Sequence, residues 1–367
     1  MNPIQADVPL KPYTTFKIGG PARYFASAST EEEFRAALDF ARRERLPIFV
    51  LGGGSNIVVS DRGFSGLVVH PSRQGIEPED AGTSERILRI QAGEVWDDVV
   101  RLAVKEGLWG IENLSHIPGQ AGAALVQNIG AYGRQVADTL ESAEVMSLRD
   151  GRVRALTAVE CGFAYRRSIF NSTAKNEFII LSLALRLRKD GQPDLRYPDL
   201  QAHFAARGPA MPSLGEIREA IIGIRDRKFP FPREEKGGNA GSFFKNLLLG
   251  EEEFAALERK VQRNFGPREL DRLNEIRRRS SPAPIKVPAA FLIEICGLKG
   301  CRGGGAEVNQ TQPLVLLNQG GATADDVLAL AGHVRRTVRE RTGATLALEP
   351  ELVGFTREEI ANALGSD

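Results

Sequence analysis

The stretch Pro47-Ile-Phe-Val-Leu-Gly-Gly-Gly-Ser-Asn-Ile-Val-Val-Ser60 decides how the rest of the chain is read. Ile48 to Leu51 and Ile57 to Val59 are short, unbroken apolar runs rich in strand formers. Between them stand Gly52, Gly53, Gly54, Ser55 and Asn56. Consecutive glycines permit positive φ and close backbone approach. Such a turn gathers several N–H groups into one concavity, which suits a phosphate or pyrophosphate. The third glycine of G-x-G-x-x-G is missing and a strand follows instead of a helix, so this is not the dinucleotide fingerprint of a doubly wound sheet. No Gly-Lys-Ser/Thr follows, which removes the P-loop. Taken alone, the stretch reads more simply as a glycine-rich hairpin turn than as a nucleotide site.

The whole chain fits an ordinary globular protein. Its 367 residues allow roughly two to three domains. Lys+Arg 48 against Asp+Glu 47 leaves a net charge of +1, which argues against nucleic-acid and membrane-surface partners. The N-terminus shows no basic region followed by an apolar core, so no signal peptide is expected. No apolar run reaches the length of a membrane span. Cys161, Cys296 and Cys301 are sparse, odd in number and remote from the scattered histidines. They are expected to be reduced structural residues of a cytoplasmic protein, and no metal site is expected.

Outward from the glycine turn, patterning predicts a small β-α-β-β-β unit. Residues 13–25 read as strand, Gly-Gly-Pro turn and strand, Thr30 caps a helix with Phe34, Leu38, Phe40 and Ala41 on its apolar side, and Leu67 to His70 forms a further strand. A polar interval from Arg73 to Glu85 follows. Next come a strand over 87–92 and a helix over 95–106. Pro118 and Gly119 are expected to open a short helix whose first N–H groups face an anion. Asn128-Ile-Gly-Ala-Tyr-Gly133 is a second glycine-rich turn, and strands are expected near 143–148 and 178–188. A helix over 214–227 ends at the linker-like Phe229 to Gly238. Beyond it lie a strand-like segment at 241–246, helices near 251–263, 268–279 and 288–296, and a strand over 314–317. A Thr323-capped helix to Thr342 and a closing strand over 345–353 complete the reading.

Several segments then coincide in order. They are Thr15-Phe-Lys-Ile-Gly-Gly20, Leu51-Gly-Gly-Gly-Ser-Asn56, Glu112-Asn-Leu to Ile117-Pro-Gly119, Gln127-Asn-Ile-Gly-Ala-Tyr-Gly133, Phe163-Ala-Tyr-Arg166, Gly238-Asn-Ala-Gly-Ser-Phe-Phe-Lys-Asn246 and Leu348-Glu-Pro-Glu351. With them the chain resembles the UDP-N-acetylenolpyruvoylglucosamine reductases, type I-like. The resemblance implies an α+β protein. It would comprise a two-subdomain FAD-binding module of the vanillyl-alcohol-oxidase (PCMH) type, over 1–72 and 73–230, and a C-terminal α+β substrate-binding domain, over 231–367.

The same resemblance implies FAD pyrophosphate at Gly53, Gly54, Ser55 and Asn56. Further flavin contacts would come from Ile117, Pro118, Gly119, Gly122, Asn128, Gly130, Ala131, Tyr132 and Tyr165. Flavoenzymes of this superfamily often tether FAD through a histidine near the glycine loop. His70 lies well past the turn, so FAD is expected to be non-covalent, with NADPH as cosubstrate.

The implied reaction needs hydride delivered to an enolpyruvyl carbon, a stabilised negative charge at the adjoining carboxylate, and a proton for the neighbouring carbon. Arg166 matches the arginine that holds the developing charge, Ser242 the proton donor and Glu351 the glutamate at the carboxylate side. Glu349 and Glu351 share a strand face by period two, so spacing does not separate them and the family position selects Glu351. Tyr197 matches the tyrosine that closes over the substrate diphosphate in type I members, while Arg225, Lys228, Asn246 and Gln312 match other substrate contacts. The plainer readings are a surface ion pair for Arg166, an ordinary strand hydroxyl for Ser242 and solvated helix-end charge for Arg225 and Lys228. The chain departs from the family pattern at Arg167, where Asp is usual, at Pro198 for Gly, at Leu247 for Pro and at Leu352-Val353. The resemblance also implies a monomer. The alternatives are another FAD-dependent oxidoreductase of the same fold, such as a sugar or alcohol oxidase, and a non-catalytic sugar-nucleotide-binding protein.

Overall fold

The computed structural model describes residues 4–205, 211–228, 236–280 and 284–365. The strands that flank the glycine turn, Ile48–Val50 and Ile57–Val59, do not pair with each other: they lie in different sheets. The hairpin expectation is therefore corrected, and the turn is a crossing between two compact units. One unit comprises Met1–Val8, Ala22–Gly54 and Ser65–Arg227, and the other Pro9–Pro21, Ser55–Phe64 and Lys228–Asp367.

In the first unit a four-stranded sheet runs Gln5–Pro9, Pro21–Ala28, Phe64–Pro71, Ile48–Val50, with the last two parallel. The helix Glu31–Arg43 covers it. Thr30 caps that helix by accepting from Glu33 N at 3.3 Å, and Phe34, Ala37, Leu38 and Ala41 form one buried stripe. A five-stranded antiparallel sheet runs Val153–Thr157, Leu140–Ser147, Phe178–Arg188, Glu85–Gln91, Ile76–Asp80. The helix Trp96–Lys105 packs into its core through Trp96, Val99, Val100 and Ala103. Trp96 is fully buried because its indole N–H finds Leu114 O at 3.0 Å. The helices Pro198–Phe204 and Leu214–Lys228 form a smaller apolar cluster around Tyr132.

In the second unit Ile57–Val59 pairs in parallel with Glu351–Val353, near the end of the chain. The helix Ala324–Thr342 carries the core, and Thr323 and Asp326 close a capping box at its start. Around it lie the helices Glu251–Phe265 and Pro267–Ser280, the antiparallel pair Leu247–Leu249 and Ile285–Val287, the short helix Ala289–Ile295 and a small sheet of Arg302–Gly303, Ala306–Val308 and Leu316–Asn318.

Several expectations are corrected. Residues 13–18 are not a strand: a 3-10 turn at Lys11–Tyr13 leads into a loop held by Thr14, whose hydroxyl donates to Ile18 O at 2.9 Å. The polar interval contains the strand Ile76–Asp80, an edge strand exposed over most of its length and so without apolar alternation. The segment at 241–246 is irregular, with one bridge between Phe244 and Leu348, and the regular strand begins at Leu247. The closing strand is only Glu351–Val353, and the capped helix Arg357–Leu364 follows it. The linker-like stretch from Phe229 lies outside the described residues as far as 235. No described helix is long and apolar enough to cross a membrane. Among the described residues no group of histidines, cysteines and carboxylates could hold a metal. All three cysteines are free, and burial pushes the thiols of Cys161 and Cys296 up to about 11.

Candidate functional site

In the first unit, a Cβ built on Gly53 would stand 2.5 Å from Gly119 Cα and 2.9 Å from Gln120 N, so the two backbones lie against each other. A Cβ on Gly52 would meet the Ala123 side chain at 2.7 Å. Gly54 has φ +58, which a side chain rarely adopts. Among the described residues, the N–H groups of Gly52 and Gly53 donate to no protein acceptor. Gln120 Oε1 beside them is buried without a hydrogen-bond partner. The chain passes to the second unit between Gly54 and Ser55. There Asn56 is fixed by its amide, which donates to Glu349 O at 3.1 Å.

The adjoining helix differs from expectation. It starts at Ala121, not Pro118, and spans only Ala121–Val126. Its first N–H groups are already used, Ala121 N donating to Glu94 O at 2.8 Å and Gly122 N to Ala92 O at 2.9 Å. Gly119 has φ +121 and its carbonyl accepts from Trp96 N, Ile117 packs on the core of the larger sheet, and Pro118 is half-buried between them. Gly122 needs its small size, since a Cβ there would lie 2.7 Å from that of Ala92.

The second glycine-rich turn is held from beneath by two buried asparagines. Asn128, at φ +48, donates to Gln135 Oε1 and Ala164 O and accepts from Ala137 N. Asn113 donates to Tyr132 O at 2.8 Å and Asp194 O at 2.9 Å. Gly130 and Ala131 form a two-residue strand against Arg134 and Gln135. Arg166 reaches this turn and donates from Nη2 to Gly130 O at 2.8 Å. Its own backbone sits at φ +53, a conformation that costs roughly 1–2 kcal/mol for an L residue. The tight turn Ala164 to Arg167, closed by hydrogen bonds in both directions, imposes it, and the guanidinium lies over the Tyr165 ring at 5.4 Å. Arg167 points to solvent, so the missing aspartate there leaves the Arg166 contact to Gly130 in place.

Tyr132 and Tyr197 meet edge to face, their ring centroids 5.1 Å apart. Burial, opposed by Arg225 and assisted by Asp199, pushes the Tyr132 phenol up to about 12, so it stays neutral at working pH. Arg225 is itself fixed by an Nε donation to His116 O at 2.9 Å. Pro198 is the first residue of a helix for which Tyr197 is the N-cap position, so the proline starts an element instead of stiffening a loop.

In the second unit, Asn239 shapes the approach to Ser242. Its Oδ1 accepts from Gly241 N at 2.9 Å, its N–H donates to Thr15 O, and its carbonyl accepts from the Thr15 hydroxyl at 2.7 Å. The Thr15-Phe16 part of the first motif is therefore a brace for the Ser242 segment. Phe243 N donates to Leu314 O, Lys245 N to Ala347 O, and Glu349 N to Phe243 O, which places Ser242 at the edge of the ladder that leads to Glu351. Glu351 N then donates to Asn56 O at 3.0 Å. Glu349 and Glu351 are both half-buried. Asn246 turns inward, accepting from Ala289 N at 3.1 Å at the start of the helix Ala289–Ile295. Leu247, where proline is usual, enters a ladder opposite Val287. The Gln312 carbonyl accepts from Val315 N, and the Lys228 carbonyl accepts from the buried Asn309 amide. Among the proposed catalytic residues, Arg166 thus belongs to the first unit and Ser242 and Glu351 to the second.

Sequence reading missed Asn113, Asn239 and Asp194. The first two lay within recognised motifs but were passed over as filler between glycines and apolar residues. Asp194 carried no signal. His70, judged only as a tether, donates from Nδ1 to Leu51 O at 2.7 Å and stacks near Phe25, so it supports the strand that enters the glycine turn.

Residues 22–157 match an FAD binding domain model, and residues 232–353 match the model of the UDP-N-acetylenolpyruvoylglucosamine reductase C-terminal domain. The chain is 37% identical over 358 residues to UDP-N-acetylenolpyruvoylglucosamine reductase of Thermobifida fusca, covering 95% of this chain and 98% of that one. It is 37% identical over 352 residues to the Neisseria meningitidis serogroup B protein of the same name, covering 95% and 97%. Among solved structures, the Thermus caldophilus reductase superposes with a TM-score of 0.64 at 26% identity, covering 96% of this chain and 99% of that one. An α+β chain with a PCMH-type FAD module and this C-terminal domain, aligned with its relatives over 95% of its length, belongs to the UDP-N-acetylenolpyruvoylglucosamine reductase family.

Proposed function

We propose that the chain reduces the enolpyruvyl group of UDP-N-acetylglucosamine enolpyruvate to the lactyl ether, giving UDP-N-acetylmuramate for peptidoglycan synthesis, with NADPH as hydride donor. The observation that carries this reading is the match of residues 232–353 to the reductase C-terminal domain, which an oxidase sharing only the FAD module would lack. The purified yellow protein should oxidise NADPH quickly only when the enolpyruvyl substrate is present. Rapid oxidation of a sugar or alcohol at the expense of oxygen would favour the oxidase reading instead.

The residues at the glycine turn fit FAD. Free N–H groups at Gly52 and Gly53, the backbone contact with Gly119 and the orphaned Gln120 Oε1 together form a cradle that side chains would fill. Gly53, Gly54, Ser55 and Asn56 would hold the pyrophosphate, and the pinned turn from Asn128 to Tyr132 with Tyr165 would meet the flavin. When bound, FAD would supply the hydride-transfer chemistry between NADPH and the enolpyruvyl substrate. Arg166 holds the charge that develops at the substrate carboxylate, and Glu351 acts at the same carboxylate. Ser242 delivers the proton. Tyr197, Arg225, Lys228, Asn246 and Gln312 bind the UDP-sugar. The division into 1–72, 73–230 and 231–367, a monomeric state and a cytoplasmic location belong to the same reading.

Two expected results follow. FAD should be released on denaturation, because no histidine adjoins Gly52 to Asn56 in sequence, His70 is engaged with Leu51 O and His116 with Asp226. Flavin that stays with the denatured chain on a gel would contradict this. Tyr197→Phe should weaken substrate binding by about tenfold, the worth of one hydrogen bond to a charged group. It should slow flavin reduction by NADPH far less. Titration of the flavin spectrum with substrate reads the first effect, and unchanged affinity would remove Tyr197 from the binding site.

A further inference from the structure

The connection from the strand Phe178–Arg188 to the helix Pro198–Phe204 delivers Tyr197 to its place. Across residues 189–197 only Asp194 is buried, at 6% exposure. A buried carboxylate is costly unless it is paired and hydrogen-bonded. Here it accepts from Arg196 Nε at 2.9 Å, Arg196 Nη2 at 2.6 Å and Arg196 N at 3.2 Å, and Arg134 Nε lies 3.6 Å away. The Asp194 carbonyl accepts from the Asn113 amide, which also donates to Tyr132 O. Tyr132 in turn meets the Tyr197 ring edge to face. The Asp194 main chain, Asn113, Tyr132 and Tyr197 thus form one circuit, and the Asp194 carboxylate lies beside it, between Arg196 and Arg134 of the turn that carries Tyr132.

We propose that Asp194 is a positioning residue for Tyr197, fixing the connection on which the tyrosine stands against the turn that carries Tyr132. The inference rests on the reading of Tyr197 as a substrate-binding residue. No part of Asp194 touches substrate in this account. Its carboxylate pins the chain three residues before Tyr197, and Pro198 fixes the backbone immediately after it. Without the pin, Tyr197 would sample more orientations, and substrate would have to order it on binding.

The test uses the full-length holoenzyme labelled with 3-fluorotyrosine. The chain has five tyrosines, so the Tyr197 fluorine resonance can be identified by its loss in Tyr197→Phe. Asp194→Asn keeps the side-chain volume and removes the charge. It should shift or broaden the Tyr197 resonance before substrate is added, raise the substrate dissociation constant about tenfold, and leave flavin reduction by NADPH within twofold. In the Tyr197→Phe background the same change should add less than twofold to the dissociation constant. An unmoved Tyr197 resonance, or a full tenfold loss in the Tyr197→Phe background, overturns the proposal. If Tyr197→Phe alone leaves affinity unchanged, the reading of Tyr197 fails, yet the resonance still decides whether Asp194 positions it. Should Asp194→Asn not fold, Arg196→Gln removes the exposed partner of the pair while the carboxylate keeps Arg134 nearby. It should move the same resonance by a smaller amount, and no movement would count against the proposal.

Discussion

Ser242→Ala should bind FAD, accept electrons from NADPH at close to the parent rate, and then reoxidise with substrate about 10²–10⁴-fold more slowly, the usual contribution of a positioned general acid. The surrounding structure makes this a clean test. Ser242 donates to and accepts from no described residue, so its removal breaks no internal hydrogen bond. The segment is held instead by Asn239 on Gly241 N, by the Phe243 and Glu349 backbone, and by Phe243 and Phe244, which are both fully buried. Stability should therefore change by no more than about 0.5 kcal/mol. Ser242→Cys should recover part of the rate, since a thiol also carries a transferable proton. Stopped-flow measurement of the two half-reactions separates the outcomes. Equal slowing of both would indicate a disturbed flavin site, and normal reoxidation would remove Ser242 from the mechanism.

Gly53→Ala should cost the protein its flavin while leaving the fold in place. The added methyl would have to enter the contact with Gly119 Cα and Gln120 N, which are backbone atoms that cannot rotate aside. Forcing a methyl group into a close-packed contact costs about 1–3 kcal/mol. If the turn relieves that strain by opening, the same energy appears as a loss of roughly 5–150-fold in FAD affinity. Gly215→Ala is the matched control: the nearest heavy atom to its new Cβ is Ser213 Oγ at 4.0 Å, and it lies in a helix. The ratio of visible to ultraviolet absorbance after gel filtration measures the flavin, and circular dichroism checks the fold. A Gly53→Ala protein that retains FAD at the parental ratio would rule out the cradle.

Much of this was legible in the sequence where a local rule and the tertiary structure agree. Thr30 and Thr323 cap helices because a hydroxyl before an acidic first turn is stabilising in any context. The strand Phe178–Arg188 is long and apolar enough that nothing else competes. The glycine turn was misread as a hairpin because pairing partners are not a local property: Ile48–Val50 finds Leu67–Val69, while Ile57–Val59 finds residues at the far end of the chain. The small helix at Ala121 was placed too early because Pro118 suggested a first turn, whereas Gly119 at positive φ and the carbonyls of Glu94 and Ala92 set its start. The family motifs located the candidate residues but not their supports. The Asn113 side chain bonds the Tyr132 and Asp194 carbonyls, Asn239 is braced through its main chain by Thr15, and the Asp194 carboxylate faces Arg134 of the second glycine turn; no spacing reports such contacts.

The pairing of Ile57–Val59 with Glu351–Val353 has a consequence for biosynthesis. The Asn56 amide and the Glu349 carbonyl that meet there are 293 positions apart, and Thr15 waits for Asn239 across 224. On the ribosome, the early segments of the second unit emerge long before their partners exist. Contacts of such separation form late and slowly, so Ile57–Val59 lacks its strand partner until Glu351–Val353 has been made. For the same reason a fragment beginning at Lys228 would lack both the strand partner of Glu351–Val353 and the brace on Asn239. The C-terminal region matched by its own family model shares its compact unit with Pro9–Pro21 and Ser55–Phe64, so a fragment starting at Lys228 should unfold at lower denaturant than the whole chain.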